Sequence, residues 1–288
     1  MALIPPQFLD AVVAIGFRTP EAQEPRWAAT GFLYGLRADA DQPIYTVALV
    51  TNKHVFHGES TACLRFNPKG TEPAAELWID LNDADGHPVW ASDPNVDLAV
   101  VAIRVDQLVE RDISIGVFRS DGDVLLLADA SREGVVEGDG VFALGFPLGL
   151  VGQQRNYVIV RQGAVARIRD AYAGVNGEIL IDISIFPGNS GGPVITKPEV
   201  VALQGTAAMG RSALLGVVSS YLPYSDVAVS AQSGQVRVVF QENSGLASVI
   251  PVDHVVRLFE QHLEEWQRRG VATAGPQPTV QERTANTA

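Results

Sequence analysis

A serine lies between glycines in the stretch from Phe186 to Ile195, which reads FPGNSGGPVI. Glycine neighbours let the backbone turn sharply, so the hydroxyl of Ser190 can stand exposed while the N–H groups of Gly188 and Ser190 point at one oxygen atom. A serine hydroxyl becomes a nucleophile only beside a base, and that base needs a carboxylate to orient it. If Ser190 is a nucleophile, the sequence should also contain a histidine that acts as its base and an aspartate that orients this histidine.

His54 and Asp97 have the surroundings that such chemistry requires. His54 follows the apolar run from Ile44 to Thr51, at the start of a loop, and Asp97 stands at the mouth of the run from Ala99 to Val105. The three residues occur in the order His, Asp, Ser and are far apart in the chain. Each is therefore expected on a different loop of a β scaffold.

The other histidines fit the role of the base less well. His57 is the nearest rival, but the apolar strand and the Thr51-Asn52 pair lead into His54, which leaves His57 as a loop histidine. His87, His254 and His262 have no evident partner in the sequence, and the last two fall on the C-terminal helix described below.

Most of the chain reads as short β-strands separated by clusters of Gly, Pro, Asp and Asn. The clearest runs are Ile44 to Thr51, Ala99 to Val105, Val141 to Gly145 and Leu214 to Ser219. From Val252 the apolar residues recur at intervals of three and four, which predicts an amphipathic helix over residues 252–269 that docks on the β scaffold. Residues 270–288 contain few large apolar side chains, and we expect a disordered tail there. The fold class is therefore all-β.

Seven blocks between Val47 and Leu258 resemble, in order, the trypsin/chymotrypsin-type serine proteases, and most closely their HtrA (Deg) branch. The blocks are Thr51 to Val55, Asp97 to Ala99, Gly138 to Leu150, Arg161 to Ala166, Ile179 to Ile185, the serine loop, and Ala247 to Pro251. The resemblance implies two packed six-stranded antiparallel β-barrels of the chymotrypsin-like kind with the active site in the cleft between them. Residues 1–130 would form the barrel carrying His54 and Asp97, and residues 131–251 the barrel carrying Ser190.

The resemblance also implies how a substrate is held. Ser184 would lie near the bottom of the primary specificity pocket, while Ser219, Ser220 and Tyr221 would pair with the substrate backbone. No acidic residue is expected at the pocket base, and Tyr221 replaces the glycine that keeps wide pockets open. We therefore expect cleavage after small or medium apolar residues such as Ala, Val or Leu.

Three comparisons with that branch concern regulation. Asn189 precedes the serine where secreted trypsins carry an aspartate that binds a new N-terminus, so activation by that ion pair is not expected. Phe186 replaces an Asn that many HtrA members have. The chain after Pro251 is too short for the peptide-binding PDZ domain usual in HtrA proteins. Activation by a protein partner or by the substrate is a hypothesis that these features leave open.

Composition limits the other classes of function. Of the 288 residues 21 are Lys or Arg and 33 are Asp or Glu, and the net charge of −12 speaks against nucleic acid or an anionic membrane as partner. The only cysteine is Cys63, which excludes an intramolecular disulfide and a cysteine-based zinc site. No apolar run approaches the roughly 18 residues of a membrane span, and the N-terminus lacks a positively charged leader, so a cytoplasmic location is the default expectation.

The sequence thus predicts a serine endopeptidase that acts on polypeptides through His54, Asp97 and Ser190, without metal or organic cofactor. Two alternatives remain. One is a protease-fold protein that binds partners without cutting them. The other is an esterase or lipase, because residues 188–192 also match the Gly-x-Ser-x-Gly pattern; that pattern requires a helix directly after the serine, whereas Pro193 to Thr196 reads as a strand.

Overall fold

A computed structural model describes residues 3–19, 24–37, 41, 44–199 and 208–268. The predicted tail lies outside these residues. The described strands are β1 Val12–Phe17, β2 Arg26–Arg37, β3 Tyr45–Thr51, β4 Thr61–Phe66, β5 Ala75–Asp80, β6 Ala91–Ser92, β7 Ala99–Ala102, β8 Phe118–Arg119, β9 Gly140–Gly145, β10 Ile159–Arg167, β11 Ile179–Asp182, β12 Pro193–Thr196, β13 Leu214–Val229 and β14 Val236–Pro251. The described helices are α1 Pro6–Asp10, α2 Lys53–Phe56, α3 Val105–Glu110, α4 Leu127–Glu133, α5 Arg169–Tyr172 and α6 Val252–Arg268.

The first eight strands form one sheet in the order β5-β4-β1-β2-β3-β7-β6, with β8 paired to β2. Its central strands β1 and β3 are rich in Val, Ala and Ile or Leu and are buried along their whole length, as expected for strands covered on both faces. The six longer strands match the number that the resemblance implies. The other two, β6 and β8, are two residues long each and bring the described sheet to eight.

The remaining strands close into a barrel in the order β10-β11-β14-β13-β12-β9. Closure leaves no edge along the paired part of these strands, so their backbone N–H and C=O groups are satisfied by neighbouring strands within the barrel wall. Apolar side chains that include Val141, Ile181, Val194, Leu215 and Val249 fill one core of this barrel. The predicted all-β, chymotrypsin-like architecture with a C-terminal helix is confirmed.

Helix α6 covers the region where the two sheets meet. Its buried face includes Val255 and Phe259, which belong to one apolar cluster with residues of both sheets. The Phe259 ring packs edge-on against Tyr34 of β2, with ring centroids 5.6 Å apart, and against Trp266 at 5.4 Å. The apolar spacing seen in the sequence is therefore the stripe that fastens α6 to the core.

Two further observations concern the cysteine and the possibility of a membrane-spanning helix. Cys63 is buried in β4, and burial raises the pKa of its thiol to about 12, so the reactive thiolate is scarce at neutral pH. In the part of the chain that the structure describes, no helix has the length and apolar character needed to cross a bilayer.

Replacing Phe259 with Ala is expected to destabilise the fold by about 3–5 kcal/mol, because a buried aromatic side chain is lost and a cavity remains. Urea denaturation followed by circular dichroism measures this change. Gln261→Ala, at an exposed position of the same helix, is the matched control and should lie within about 0.5 kcal/mol of wild type. Equal stability of the two variants would show that α6 is not anchored through this ring.

Candidate active site

His54 and Asp97 are brought together by the pairing of β3 with β7. Thr51, at the end of β3, lies opposite Ala99, at the start of β7, so the residues beyond each strand end emerge at the same edge of the sheet. There His54 Nδ1 lies 2.5 Å from Asp97 Oδ2, and the backbone N–H of His54 donates to Asp97 Oδ1 at 2.9 Å. Asn52 donates from Nδ2 to the Asp97 carbonyl oxygen at 2.8 Å. The carboxylate therefore fixes both the ring and the backbone of His54.

The local structure at His54 differs slightly from the loop that the sequence predicts. The residue lies in the single helical turn α2, which follows β3 directly. Its side chain is 53% exposed and that of Asp97 is 34% exposed, so the ring remains accessible from solvent.

The environment of Asp97 favours its charged form. Burial raises the pKa of this carboxyl, but the hydrogen bonds from the His54 ring and backbone outweigh burial and hold the pKa below its ordinary value. Asp97 is therefore ionised at neutral pH, and a carboxylate at His54 Nδ1 selects the tautomer with its proton on that nitrogen. Nε2 is then the ring atom that can accept a proton.

The serine loop contains a tight turn from Phe186 to Asn189. The N–H of Asn189 donates to the Phe186 carbonyl oxygen at 3.0 Å, with Pro187 second in the turn and Gly188 third. Gly188 has φ +101°, the left-handed conformation that a type II turn requires at its third residue. A side chain there would also strike the Phe146 carbonyl oxygen, since an added Cβ would lie 2.4 Å from it. Glycine is thus required at the third position of this turn, and proline is well suited to the second.

The pattern of backbone hydrogen bonds singles out two N–H groups of this loop. Asn189, Gly191 and Gly192 each donate to a backbone carbonyl oxygen, on Phe186, Val218 and Asn189 respectively. Among the described residues, the N–H groups of Gly188 and Ser190 have no such acceptor. These are the two donors that the sequence analysis assigned to an oxyanion site. Their availability supports that assignment, which stays a prediction.

Thr30, which the sequence analysis did not consider, joins the serine loop to the first sheet. Its N–H donates to the Ser190 carbonyl oxygen at 3.0 Å, and its hydroxyl donates to the Gly188 carbonyl oxygen at 2.6 Å. The same hydroxyl accepts from the Phe146 N–H at 3.0 Å, while the Thr30 carbonyl accepts from the Thr51 hydroxyl at 2.8 Å. Thr30 is itself buried. Its position among the small residues Ala29 and Gly31, ahead of the apolar Phe32 and Leu33, gave no signal of this role.

Glycine at 191 allows the serine loop to touch β3. An added Cβ at Gly191 would lie 2.2 Å from both the Thr30 carbonyl oxygen and the Thr51 hydroxyl. The neighbour of Ser190 therefore packs against the strand that leads to His54. Within the described residues no hydrogen bond joins the Ser190 hydroxyl to His54, as is common for such pairs before a substrate binds.

The residues predicted to hold the substrate lie on β13 and on the segment before the serine loop. Ser219, which is buried, and the exposed Ser220 and Tyr221 continue β13 directly beyond Val218, the partner of the Gly191 N–H. Ser184 is half-buried and faces Gly245 of β14, where an added Cβ would lie 4.0 Å from its hydroxyl oxygen.

Asp182 is an acidic neighbour of Ser184 that the sequence analysis did not place near the pocket. Its carboxylate would lie 3.7 Å from an added Cβ at Gly245, so Asp182 and Ser184 face the same space. The two residues are separated by one position, and the alternation of side chains along an extended chain could have indicated this. Asp182 is exposed, so water screens its charge.

The other four histidines interact with groups other than Asp97. Asp97 contacts His54 and not His57, whose N–H donates to the Lys53 carbonyl oxygen. His254 of α6 lies 2.7 Å from Arg257, and burial lowers its pKa. His262 contacts the Leu258 carbonyl oxygen, and His87 lies 3.6 Å from Asp83 in an exposed turn.

Comparison with known proteins gives one family match. A family model described as a trypsin-like peptidase domain matches residues 29–203, more than half of the chain and the part that holds His54, Asp97 and Ser190. No curated protein matches the sequence.

Several solved structures are similar to this chain. A serine endoprotease from Yersinia pestis is 18% identical, with 91% of this chain and 68% of that chain covered and a TM-score of 0.47. The HtrA-type protease AlgW with a tripeptide is 20% identical, with 89% and 61% covered and a TM-score of 0.49. The MamO protease domain from Magnetospirillum magneticum is 16% identical, with 87% and 96% covered and a TM-score of 0.44. The chain thus spans about two thirds of the first two proteins.

Replacing Thr30 with Val is expected to cost about 1–3 kcal/mol of unfolding free energy, because the buried Phe146 N–H and Gly188 carbonyl lose their shared partner. Thr30→Ser keeps the hydroxyl and should lose less. Urea denaturation of the two variants gives the comparison. If Thr30→Val destabilises the protein no more than Thr30→Ser, the hydrogen bonds of the hydroxyl are not what stabilises the fold at this position.

Proposed function

The chain belongs to the trypsin-like peptidase family of serine endopeptidases, and we propose that Ser190, His54 and Asp97 are its nucleophile, base and orienting carboxylate. In this mechanism the Ser190 oxygen bonds to the carbonyl carbon of a peptide while His54 Nε2 takes the hydroxyl proton. His54 then gives that proton to the leaving amine as the C–N bond breaks, which leaves an acyl-enzyme on Ser190. Water, deprotonated by His54, releases the acyl group in the second half of the reaction.

Asp97 does not take up a proton in this scheme. Its carboxylate keeps the His54 ring in the tautomer with Nε2 free and stabilises the imidazolium that forms during each transfer. The lowered pKa of Asp97 fits this role, because the carboxyl stays charged when the neighbouring ring becomes positive.

The oxygen of the tetrahedral intermediate needs hydrogen-bond donors that are already in place. We assign this role to the N–H groups of Gly188 and Ser190, which have no acceptor among the described residues. Removing one donor of such a site typically slows the reaction by about 100- to 1000-fold. The bond from the Thr30 hydroxyl to the Gly188 carbonyl helps to keep the turn in the conformation that presents these groups.

The observation that carries the proposal is the two-point contact between Asp97 and His54 beside the serine loop. A histidine in a merely structural role has no need for a carboxylate that holds both its ring and its backbone. An esterase of the α/β-hydrolase kind would need a helix directly after Ser190, whereas β12, the next element after Ser190, is a strand.

Ser190→Ala is expected to abolish reaction with a small fluorophosphonate while the fold stays intact. The reagent forms an O–P bond to Ser190 and releases fluoride, and the hydroxyl proton passes to His54. Intact mass should show a single adduct on wild type and on Ser131→Ala, a control at an exposed serine of α4, and none on Ser190→Ala. No adduct on any of the three would support the alternative of a protease-fold binding protein.

We further propose that the enzyme cleaves polypeptides after small or medium apolar residues. The support is that the half-buried Ser184 and the solvent-exposed carboxylate of Asp182 face the same space beside Gly245. By the resemblance described above, Tyr221 takes the place of the glycine that keeps wide pockets open. A buried, unscreened carboxylate would be needed for strong selection of Lys or Arg.

A peptide library varied at the cleaved position is expected to show kcat/KM higher for Ala, Val and Leu than for Lys and Arg, by at least about ten-fold. Asp182→Asn should leave this order unchanged. Strong selection for Lys or Arg that disappears in Asp182→Asn would contradict the apolar preference and assign the pocket to a basic side chain.

A further inference from the structure

The strand that carries the substrate segment continues far beyond it. β13 runs from Leu214 to Val229, and every residue from Ser220 onward is exposed. Its partner β14 is likewise exposed from Val236 to Glu242. At about 3.4 Å per residue, this two-stranded ribbon extends about 30 Å from the barrel.

One edge of the exposed stretch is open. The other edge pairs with β14 as far as Val229. On the open side, β12 pairs with β13 only up to Val217, and the serine loop then makes two backbone hydrogen bonds with Val218. In the part of the chain that the structure describes, no backbone hydrogen bond reaches this side of β13 beyond Val218. The open edge therefore begins directly beside the serine loop.

Both faces of the ribbon carry exposed apolar side chains. Residues opposite one another in an antiparallel pair share a face, and the faces alternate along the strand. Val227 lies opposite Val239 on one face, whereas Tyr224 and Phe240 lie on the other. An isolated two-stranded hairpin is marginally stable in water, and a third strand is what usually stabilises it.

We propose that the open edge of β13 is an extended substrate-binding site, which takes about ten unfolded residues upstream of the scissile bond as a third strand from Ser219 to Val229. This inference rests on the proposed function. His54, which must protonate the leaving amine, stands on the first sheet, so the downstream half of the substrate lies toward that sheet. The acyl half stays bonded to Ser190 on the barrel and so lies toward β13.

The ribbon determines what such a substrate looks like. Pro223 has no N–H, so the ladder of backbone hydrogen bonds falls into two stretches on either side of it. In the stretch beyond Pro223, apolar side chains at alternate substrate positions would meet Tyr224 on one face of the ribbon and Val227 on the other. The favoured substrate is therefore an unfolded, apolar polypeptide rather than a short exposed loop of a folded protein.

A second copy of the chain is the competing occupant of this edge. Two copies that each carry a net charge of −12 repel one another, and an edge shared by two copies would not be available to the substrate. Continuity with Ser219 to Tyr221 favours the substrate.

The test compares two peptidyl diphenyl phosphonates that share a valine phosphonate as the reactive end. Ser190 forms an O–P bond to this group and displaces phenoxide, and the hydroxyl proton passes to His54. One reagent carries about three residues upstream of this valine, and the other about ten, alternating Val and Gln. Wild-type Ser190 should be modified by the long reagent at least about ten-fold faster, since several cross-strand pairs each add a small gain. Intact mass over time gives both rates.

Two variants test whether the ribbon is responsible for the faster reaction of the long reagent. In the first, residues 225–241 are replaced by Asn-Gly, which joins Tyr224 to Glu242, its partner across the ribbon. In the second, Val227→Glu and Val239→Glu are combined. Each should react with the short reagent at the wild-type rate and lose the advantage of the long one. Val109→Glu, at an exposed site of α3, is the matched control and should keep it.

The outcomes separate this inference from the proposed function. Equal rates for the two reagents on wild type overturn the extended site alone. Failure of the small fluorophosphonate to modify Ser190 overturns the catalytic assignment, and the extended site with it. A wild-type dimer in sedimentation velocity that becomes monomeric on removal of residues 225–241 assigns the edge to a second copy and overturns the inference.

Discussion

The candidate site depends on one physical constraint: the proposed nucleophile, Ser190, and the proposed base, His54, belong to different sheets of the fold, and the two sheets must be held in a fixed relative position. Thr30 supplies this link with four hydrogen bonds, two to residues of the serine loop, one to Phe146 and one to Thr51. Because Thr30 is buried, water does not compete for these groups, and an unmade bond would cost the full desolvation of its partners. Gly191 is also required for this link, because any side chain there would push the serine loop away from Thr51.

A second connection holds the segment that follows Phe146. The buried Arg65 of β4 donates to the carbonyl oxygens of Gly152 and Gln153, and Asn67 exchanges two hydrogen bonds with the backbone of Asn156. Burial lowers the pKa of Arg65, yet the guanidinium stays charged because its ordinary value is so high. The segment fixed in this way includes Leu148, whose N–H donates to the Pro187 carbonyl oxygen. The first sheet thus supports the turn before Ser190 from two sides, through Thr30 and through this segment.

Much of this arrangement could be predicted from the sequence, because it rests on local patterns. Pro193 to Thr196 was expected as a strand and is β12, and the spacing after Val252 indicated α6. The role of Thr30 could not be predicted from such local patterns. Its hydrogen-bond partners lie far from it in the sequence, and they come close to Thr30 only because of how the two sheets pack. The length of the ribbon could not be predicted for another reason. The predicted run ended at Ser219, because Pro223 and the polar residues beyond it interrupt the apolar pattern. Cross-strand pairing overrides such interruptions.

An exposed ribbon of this composition carries a risk of pairing with other chains, and its sequence contains features that limit this risk. Pro223 interrupts the open edge, and Asp226, Arg237 and Glu242 place charges among the apolar side chains. Such features discourage long, regular pairing between identical edges, because like charges of two copies would meet. A flexible polypeptide can adjust around an interruption more readily than a second rigid ribbon can. The same residues that protect the edge from self-association are therefore compatible with a substrate bound in two short stretches.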